Sequence, residues 1–295
     1  MASIGLCAYG MAPGDLVDLA VCADELGFDA LWLGEHVLHP TAYASDHPST
    51  GTTQHHTGPI VDVSTELTDP WAVHAAIAAT TTRIKLGTAV YVTALRHPLH
   101  TARTTITVQE LSAGRVLFGV GAGWLEEEFA ALGVPFRKRF SRTDECVEIL
   151  RKAWAGAPFS HDGAHYRFDE VQLHPRPVRV PVVYGGNGPQ ALARAVRLGD
   201  AWFSSGTPSF DEAITMVNEI RRQRAALGRR DEFPCYVRVA VTDETVADDL
   251  RSYRDHGIDD VVVWADTAWK GDTLWERRAG LAALAERLDV TNPGR

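Results

Sequence analysis

The sequence predicts an α/β chain closed into a single parallel (β/α)8 barrel, and three observations lead there. Short apolar runs alternate with amphipathic helical stretches from one end of the chain to the other. Eight such runs can be counted, each followed by helical sequence, and crossovers of that kind force neighbouring strands to pair in parallel. The 295 residues suit one barrel domain, expected to span 1–295. A doubly wound open sheet would serve almost as well through the fifth strand. The count of eight and the even spacing favour the closed TIM barrel.

Ser3 to Ala8 reads as the first strand. Asp15 to Leu26 follows as a helix, with Leu16, Leu19, Ala20, Ala23 and Leu26 on one face and Gly27 as its stop. The second strand is Ala30 to Leu33. Asp69-Pro70 opens the next helix, through Thr81, with proline in the first turn, where its missing N–H does no harm. "IKLGTAVYV" (84–92) is the third strand, Pro98 to Leu111 a helix, and "RVLFGVG" (115–121) the fourth strand. "WLEEEFAALG" is a short helix and 139–154 a longer one. The remaining strands are "PVVYGG" (181–186), "DAWFSS" (200–205), "PCYVRVAV" (234–241) and "IDDVVVWA" (258–265). Helices near 189–198, 209–227, 244–256 and 274–288 follow them.

Two stretches break the repeat. Residues 156–173 read as a small surface hairpin before the fifth barrel strand, turning at Asp162-Gly163. Residues 38–67 form an insertion after strand two, rich in Thr, Ser, Gly, Pro and His and without a period. A structureless loop of about 30 residues in a compact domain is generally functional or disordered. It leaves the face where barrel enzymes carry their sites, so it is expected to act as a lid over the mouth.

A net charge of −9 with no Lys/Arg run argues against nucleic acid as a partner. No apolar stretch approaches the roughly 20 residues of a membrane helix, and the N-terminus lacks a basic leader. Cys7, Cys22, Cys146 and Cys235 are scattered without metal spacing, as expected of reduced thiols in a cytoplasmic protein. His47, His55 and His56 have no carboxylate or cysteine at ligand spacing, so no metal is expected.

In a barrel, the carboxyl ends of the strands converge on one mouth. Strand two ends in Gly34-Glu35-His36, which is either a solvated polar cap or a place for chemistry; the pattern alone leaves both open. Strand three offers Thr88-Ala89-Val90, and strand four Gly121-Ala122-Gly123-Trp124. The fifth barrel strand offers Gly185-Gly186-Asn187-Gly188-Pro189, with no dedicated arginine. Glycines let a planar ligand approach the backbone, and "GGNGP" before a helix suits an anion at the positive end of the helix dipole. "GVGAGW" is too weak a match for a dinucleotide fingerprint, since Trp124 stands where Gly or Ala is required. Glu126-Glu127-Glu128 reads most simply as an acidic first turn that offsets its helix dipole. No Gly-x-Ser-x-Gly elbow suggests a hydrolase.

Three blocks carry a resemblance: "LGFDALWLGEHVLHP", the stretch from "DPWAVHAA" through "LSAGRVLFGVGAGWLEEEF", and "GAHYRFDEVQLHPRP" with "PVVYGGNGPQALARAVRLGDAWF". Together they cover most of residues 1–205. The chain resembles the luciferase-like monooxygenase superfamily, and within it the branch that uses the deazaflavin coenzyme F420. The resemblance implies that Glu35 and His36 are catalytic and lie beside the ring system, His36 handling the proton that accompanies hydride transfer. It implies a cis peptide at Ala89–Val90, with Thr88, Ala89 and Val90 backing the ring. Gly121, Ala122, Gly123 and Trp124 would lie along the cofactor, and Gly185, Gly186, Asn187, Gly188 and Pro189 would receive its phosphate. Tyr9, Tyr43, His55 and Trp124 are the expected substrate-pocket residues, and a homodimer is expected. Trp124 departs from the sugar-phosphate dehydrogenases of the superfamily, which carry glutamate there; this argues against that substrate. The expected activity is hydride transfer between F420 and an activated alkene, imine, carbonyl or alcohol. The alternatives are an FMN-dependent monooxygenase using oxygen with a partner reductase, and a non-catalytic flavin- or deazaflavin-binding protein.

Overall fold

The computed structural model describes residues 3–47, 62–258, 260–271 and 273–291. Eight parallel strands close into a barrel in the order β1 (Ser3–Ala8), β2 (Ala30–Leu33), β3 (Lys85–Thr88), β4 (Val116–Val120), β7 (Val182–Gly185), β8 (Ala201–Phe203), β9 (Cys235–Val239) and β10 (Asp260–Trp264). The ring closes where β10 pairs with β1, from Ser3 opposite Asp260 to Cys7 opposite Trp264. The expected hairpin lies outside it: β5 (Phe159–Asp162) and β6 (Arg167–Val171) pair antiparallel, and the Gly163 N–H donates to the Tyr166 carbonyl at 3.0 Å.

Helices α1 (Pro13–Leu26), α2 (Pro70–Thr80), α3 (Pro98–Leu111), α4 (Glu126–Ala131), α5 (Arg139–Trp154), α6 (Pro189–Leu198), α7 (Phe210–Ala226), α8 (Ala247–Asp255) and α9 (Leu274–Arg287) lie between the strands. Their ends follow from local chemistry. Helices α1, α2, α3 and α6 begin with proline, which has no N–H to leave unpaired in a first turn. The Asp69 carboxylate accepts from the Trp71 and Ala72 N–H groups at the start of α2. Ser209 with Glu212 and Thr273 with Glu276 form reciprocal capping boxes on α7 and α9.

The apolar core has two layers. One packs the outward faces of the strands on the helices, with Leu6, Leu31, Ile77, Phe118 and Val263 fully buried. The other fills the barrel interior, where Trp32 meets Phe203 at 4.7 Å and Tyr236 at 4.8 Å between ring centroids. Fully burying a side chain of that size contributes on the order of 2–3 kcal/mol. The plug of rings makes the interior solid and leaves only the mouth open.

Strand three is shorter than expected. The run 84–92 was expected as one strand, but the ladder stops at Thr88 and the Ala89–Val90 bond is cis. Tyr91 then rejoins the sheet as a single bridge to Val120, its N–H donating to the Gly119 carbonyl at 2.8 Å. The apolar content of 84–92 is genuine; the backbone leaves the ladder because Val90 is directed against the ends of β4 and β7.

Candidate active site

The strand ends surround a cavity of about 660 Å³. Glu35, His36, Ala89, Val90, Gly121, Ala122, Gly123, Trp124, Gly185, Gly186, Asn187, Gly188 and Tyr9 all line it, as the sequence suggested. Three of the expected residues stand back from its wall. Thr88 is fully buried and its hydroxyl donates to the Gly119 carbonyl at 2.7 Å, tying β3 to β4 behind the mouth. Pro189 serves as the first residue of α6. Tyr43 is not in the lining and meets Trp124 at 6.0 Å between ring centroids. His55 lies outside the described residues.

Glu35 and His36 are neighbours in sequence but turn to different partners. The Glu35 carboxylate accepts from the Val92 N–H at 2.8 Å and pairs with Arg96, whose guanidinium also lies over Tyr91. It therefore ties the end of β2 to the segment after β3. Burial pushes its carboxyl group up to about 7, against the opposing pull of Arg96 and the Val92 N–H. His36 instead places Nδ1 3.4 Å from Oε2 of Glu128, an ion-pair contact rather than an aligned hydrogen bond. The other Glu128 oxygen accepts from the Val37 N–H. The acid beside the imidazole is thus Glu128, and Glu35 does not fill that place.

Glu126, Glu127 and Glu128 do form the acidic first turn of α4, as expected, but the structure gives them more than that to do. Each of the three has a different role. Glu128 is fully buried beside His36. Glu127 accepts from the Ala44 N–H and the Ser45 hydroxyl, both at 2.7 Å. Glu126 lines the cavity while its own N–H donates to the Ser45 hydroxyl at 3.0 Å. Through these bonds α4 holds the first part of the insertion over the mouth, where Ser45, Asp46 and His47 join the lining. Farther along, His39 contacts the Thr65 carbonyl at 2.7 Å and Gly10 bridges Glu66. Residues 48–61 of the expected lid lie outside the described residues.

Aromatic rings crowd the same end. Trp124 meets His36 edge-on at 5.5 Å and His47 at 5.0 Å. Tyr9 lies 6.2 Å from His36, with its hydroxyl buried and unpartnered. The opposite end is built from glycines, hydroxyls and backbone. The Asn187 side chain donates to the Ser205 carbonyl and accepts from the Ser205 N–H there, both at 2.7 Å. It joins the loops after β7 and β8 and keeps one N–H and one acceptor site of its amide for a ligand. Thr207, which was not singled out from sequence, presents a buried hydroxyl without a partner to the cavity.

The glycines also need a second explanation. A Cβ on Gly121 would lie 2.3 Å from Cγ2 of Val90, and one on Gly185 would lie 2.6 Å from Cγ1. These two positions are bare because Val90 fills the space, and their closeness to a planar ligand comes second. Arg139 and Arg238 also line the cavity and were missed. Arg139 had a weak signal as the start of a helix. Arg238 had a clearer one, a cation set between Val237 and Val239 in an otherwise apolar strand.

The residues fit a flavin-like cofactor. The volume exceeds that of a small metabolite, an apolar ridge at Ala89 and Val90 can back a ring, and the orphaned Thr207 hydroxyl stands beside a glycine loop suited to phosphate. Such a mouth lies at the carboxyl ends of a parallel barrel, where enzymes of this fold carry their sites. The chain belongs to the luciferase-like monooxygenase family, whose model matches residues 3–294. It is 30% identical over 295 residues to the F420-dependent glucose-6-phosphate dehydrogenase of Nakamurella multipartita, covering 96% of this chain and 78% of that one. Among solved structures it is similar to monooxygenase RslO1 from Streptomyces bottropensis, with a TM-score of 0.76 at 19% identity over 97% of this chain and 98% of the other. It is also similar to an F420-dependent secondary alcohol dehydrogenase in complex with an F420-acetone adduct, with a TM-score of 0.67 at 20% identity over 98% and 84%. The two structural likenesses speak for the fold.

Proposed function

We propose that the protein is an F420-dependent oxidoreductase that moves hydride between the deazaflavin and a small organic substrate, with His36 handling the accompanying proton. The observation that carries this reading is the placement of His36. It is seated on a buried carboxylate at the cavity wall, beside the ridge at Ala89 and Val90. The 30% identical relative named as F420-dependent supports the choice of cofactor.

The cofactor would supply the hydride chemistry. The residues of this chain account for the rest. Gly185, Gly186, Gly188 and the Thr207 hydroxyl would hold its phosphate, while Ala89 and Val90 would back its ring. Glu128 stands 3.4 Å from Nδ1 of the imidazole, and Nε2 would give or take a proton at the substrate atom. Activated alkenes, imines and carbonyls need such a proton when reduced, and alcohols lose one when oxidised. Ser45, Asp46, His47 and Trp124 would shield the reacting atoms from water.

The second reading is a monooxygenase using FMN in place of F420; RslO1, named a monooxygenase, shares the fold over nearly the whole chain. Fluorescence titration with both cofactors separates the two. The proposal expects F420 to bind at least ~10-fold more tightly than FMN, about 1.4 kcal/mol. Equal affinities would remove it and promote the monooxygenase. Turnover of a panel of enones, imines and alcohols with the preferred cofactor then distinguishes an enzyme from a carrier.

A further inference from the structure

Arg238 is the one cation on the barrel-lining face of β9 that reaches the cavity. The residue is 7% exposed and enters no ion pair among the described residues. Its backbone N–H donates to the Ser204 hydroxyl at 2.8 Å, which fixes β9 against the loop after β8. Nη2 of its guanidinium lies 3.4 Å from the Cys7 sulfur. The guanidinium carbon stands 4.4 Å from the Trp264 ring centroid and 5.2 Å from that of Phe203. Nε is buried with no partner.

A guanidinium removed from water costs much free energy unless a counter-charge meets it. Neither the rings nor the sulfur it touches provides one, and Asp266, whose charge acts on Cys7, stands beyond ion-pair distance of the guanidinium. Stacking on Trp264 and Phe203 orients the plane but neutralises little. Burial pushes the Cys7 thiol up, so the sulfur is neutral beside the arginine. A fixed planar fork with a spare donor matches a planar two-oxygen anion, the geometry in which arginine binds carboxylates. The neighbouring wall agrees with this. His47 is held below its ordinary range, at about 4, first by burial and then by the charges of His36 and Arg238. The two histidines and the arginine therefore act on a common space.

We infer that Arg238 is the receptor for a substrate carboxylate, so that the small molecule taken by this site is an organic acid bearing its reducible or oxidisable group within reach of His36. Arg139, the other arginine of the lining, donates to the Gly123 carbonyl and lies over the Phe136 ring, so Arg238 is the cation on the β9 side, and one guanidinium there with no lysine in the lining suits a monoanion better than a phosphate dianion. The inference deepens the oxidoreductase reading and rests on it for the word substrate, but the binding itself can be read without cofactor or turnover.

The test uses benzoate and its neutral isostere benzamide as probes, followed by tryptophan fluorescence, since Trp264 and Trp124 line the cavity. Wild-type protein is expected to bind benzoate at least ~10-fold more tightly than benzamide. Arg238→Met is expected to erase that preference and, without ligand, to melt at or above the wild-type temperature, because an uncompensated buried charge is gone. Arg238→Lys, which keeps the charge and loses the fork, should retain only part of the preference. Equal binding of the two probes by the wild type would overturn the inference, and so would an Arg238→Lys variant with the full preference. A tenfold loss of F420 affinity in either variant, measured without carboxylate, would assign the guanidinium to the cofactor and overturn it too. If F420 fails to bind while benzoate selectivity persists, the oxidoreductase reading falls and the carboxylate site stands.

Discussion

The mouth of the barrel is divided between two kinds of chemistry. The segments after β2, β3 and β4, with the insertion, contribute every carboxylate in the cavity lining: Glu35, Asp46 and Glu126. Buried Glu128 stands just behind them at His36. The segments after β7, β8 and β9 contribute glycines, hydroxyls, an amide and Arg238, with no acid among the lining residues. In a water-poor site the two functions would interfere if mixed. A carboxylate beside the glycine loop would repel a phosphate, and a second cation beside His36 would oppose its taking up a proton. Under the proposed function, separation by strand would let one half handle protons while the other holds anions, with Arg139 the lining cation on the acidic side.

The largest effect that tests this division should come from the acid-base half. Replacing His36 by Ala is expected to lower turnover by ~10²-fold or more while cofactor affinity stays within a few-fold, as steady-state kinetics and titration would report. Unchanged turnover would make His36 a structural histidine and leave the two halves chemically unassigned. Next comes the seam between the halves, where Val90 lies against Gly121 and Gly185. Gly121→Ala is expected to destabilise the fold by roughly 1–3 kcal/mol in urea unfolding, since the new methyl group would collide with Val90. Adding Val90→Ala should restore much of that loss, and failure of the double variant to recover would show that the crowding lies elsewhere.

A smaller effect concerns Glu35. Its carboxyl group is raised by burial, so the folded state binds its proton more strongly than the unfolded chain does. The associated stability is fully present below the ordinary glutamate range, near pH 4.5, and is lost as pH rises through about 7. Unfolding free energies measured from pH 4.5 to 8 should show this decline in the wild type and a flatter profile in Glu35→Gln. Parallel profiles would mean that Arg96 and the Val92 N–H outweigh burial. The smallest effect belongs to Glu127, whose bond to the Ala44 N–H is exposed and whose bond to the Ser45 hydroxyl is only part-buried. Glu127→Ala is expected to raise the substrate KM a few-fold and to leave F420 affinity and melting temperature nearly unchanged. A matching loss of cofactor affinity would show that the held segment serves both halves alike.

Local chemistry determined much of this molecule. The alternation of apolar runs and helices, the prolines opening helices at 70, 98 and 189, and the turn at Asp162-Gly163 each act over a few residues, so element order and closure into a barrel were legible. Strand ends share a face in any parallel barrel, and His36, Val90, Gly121 and Gly185 were therefore legible as mouth residues. The break after Thr88 was not apparent from 84–92 itself and came only through the resemblance, because apolar content does not show where a backbone leaves its ladder. Partner choice was also hidden. Val37 and Glu128 meet across 91 positions, and Arg238 reaches Cys7 across 231. No periodicity spans such distances. Three consecutive glutamates looked equivalent in one dimension, yet helix α4 exposes Glu126, half-buries Glu127 and buries Glu128, and only the packed fold could separate them. The sequence by itself determined which residues gather at the mouth; the tertiary structure decided which of them touch, because side-chain pairing depends on how distant strands are set around the barrel.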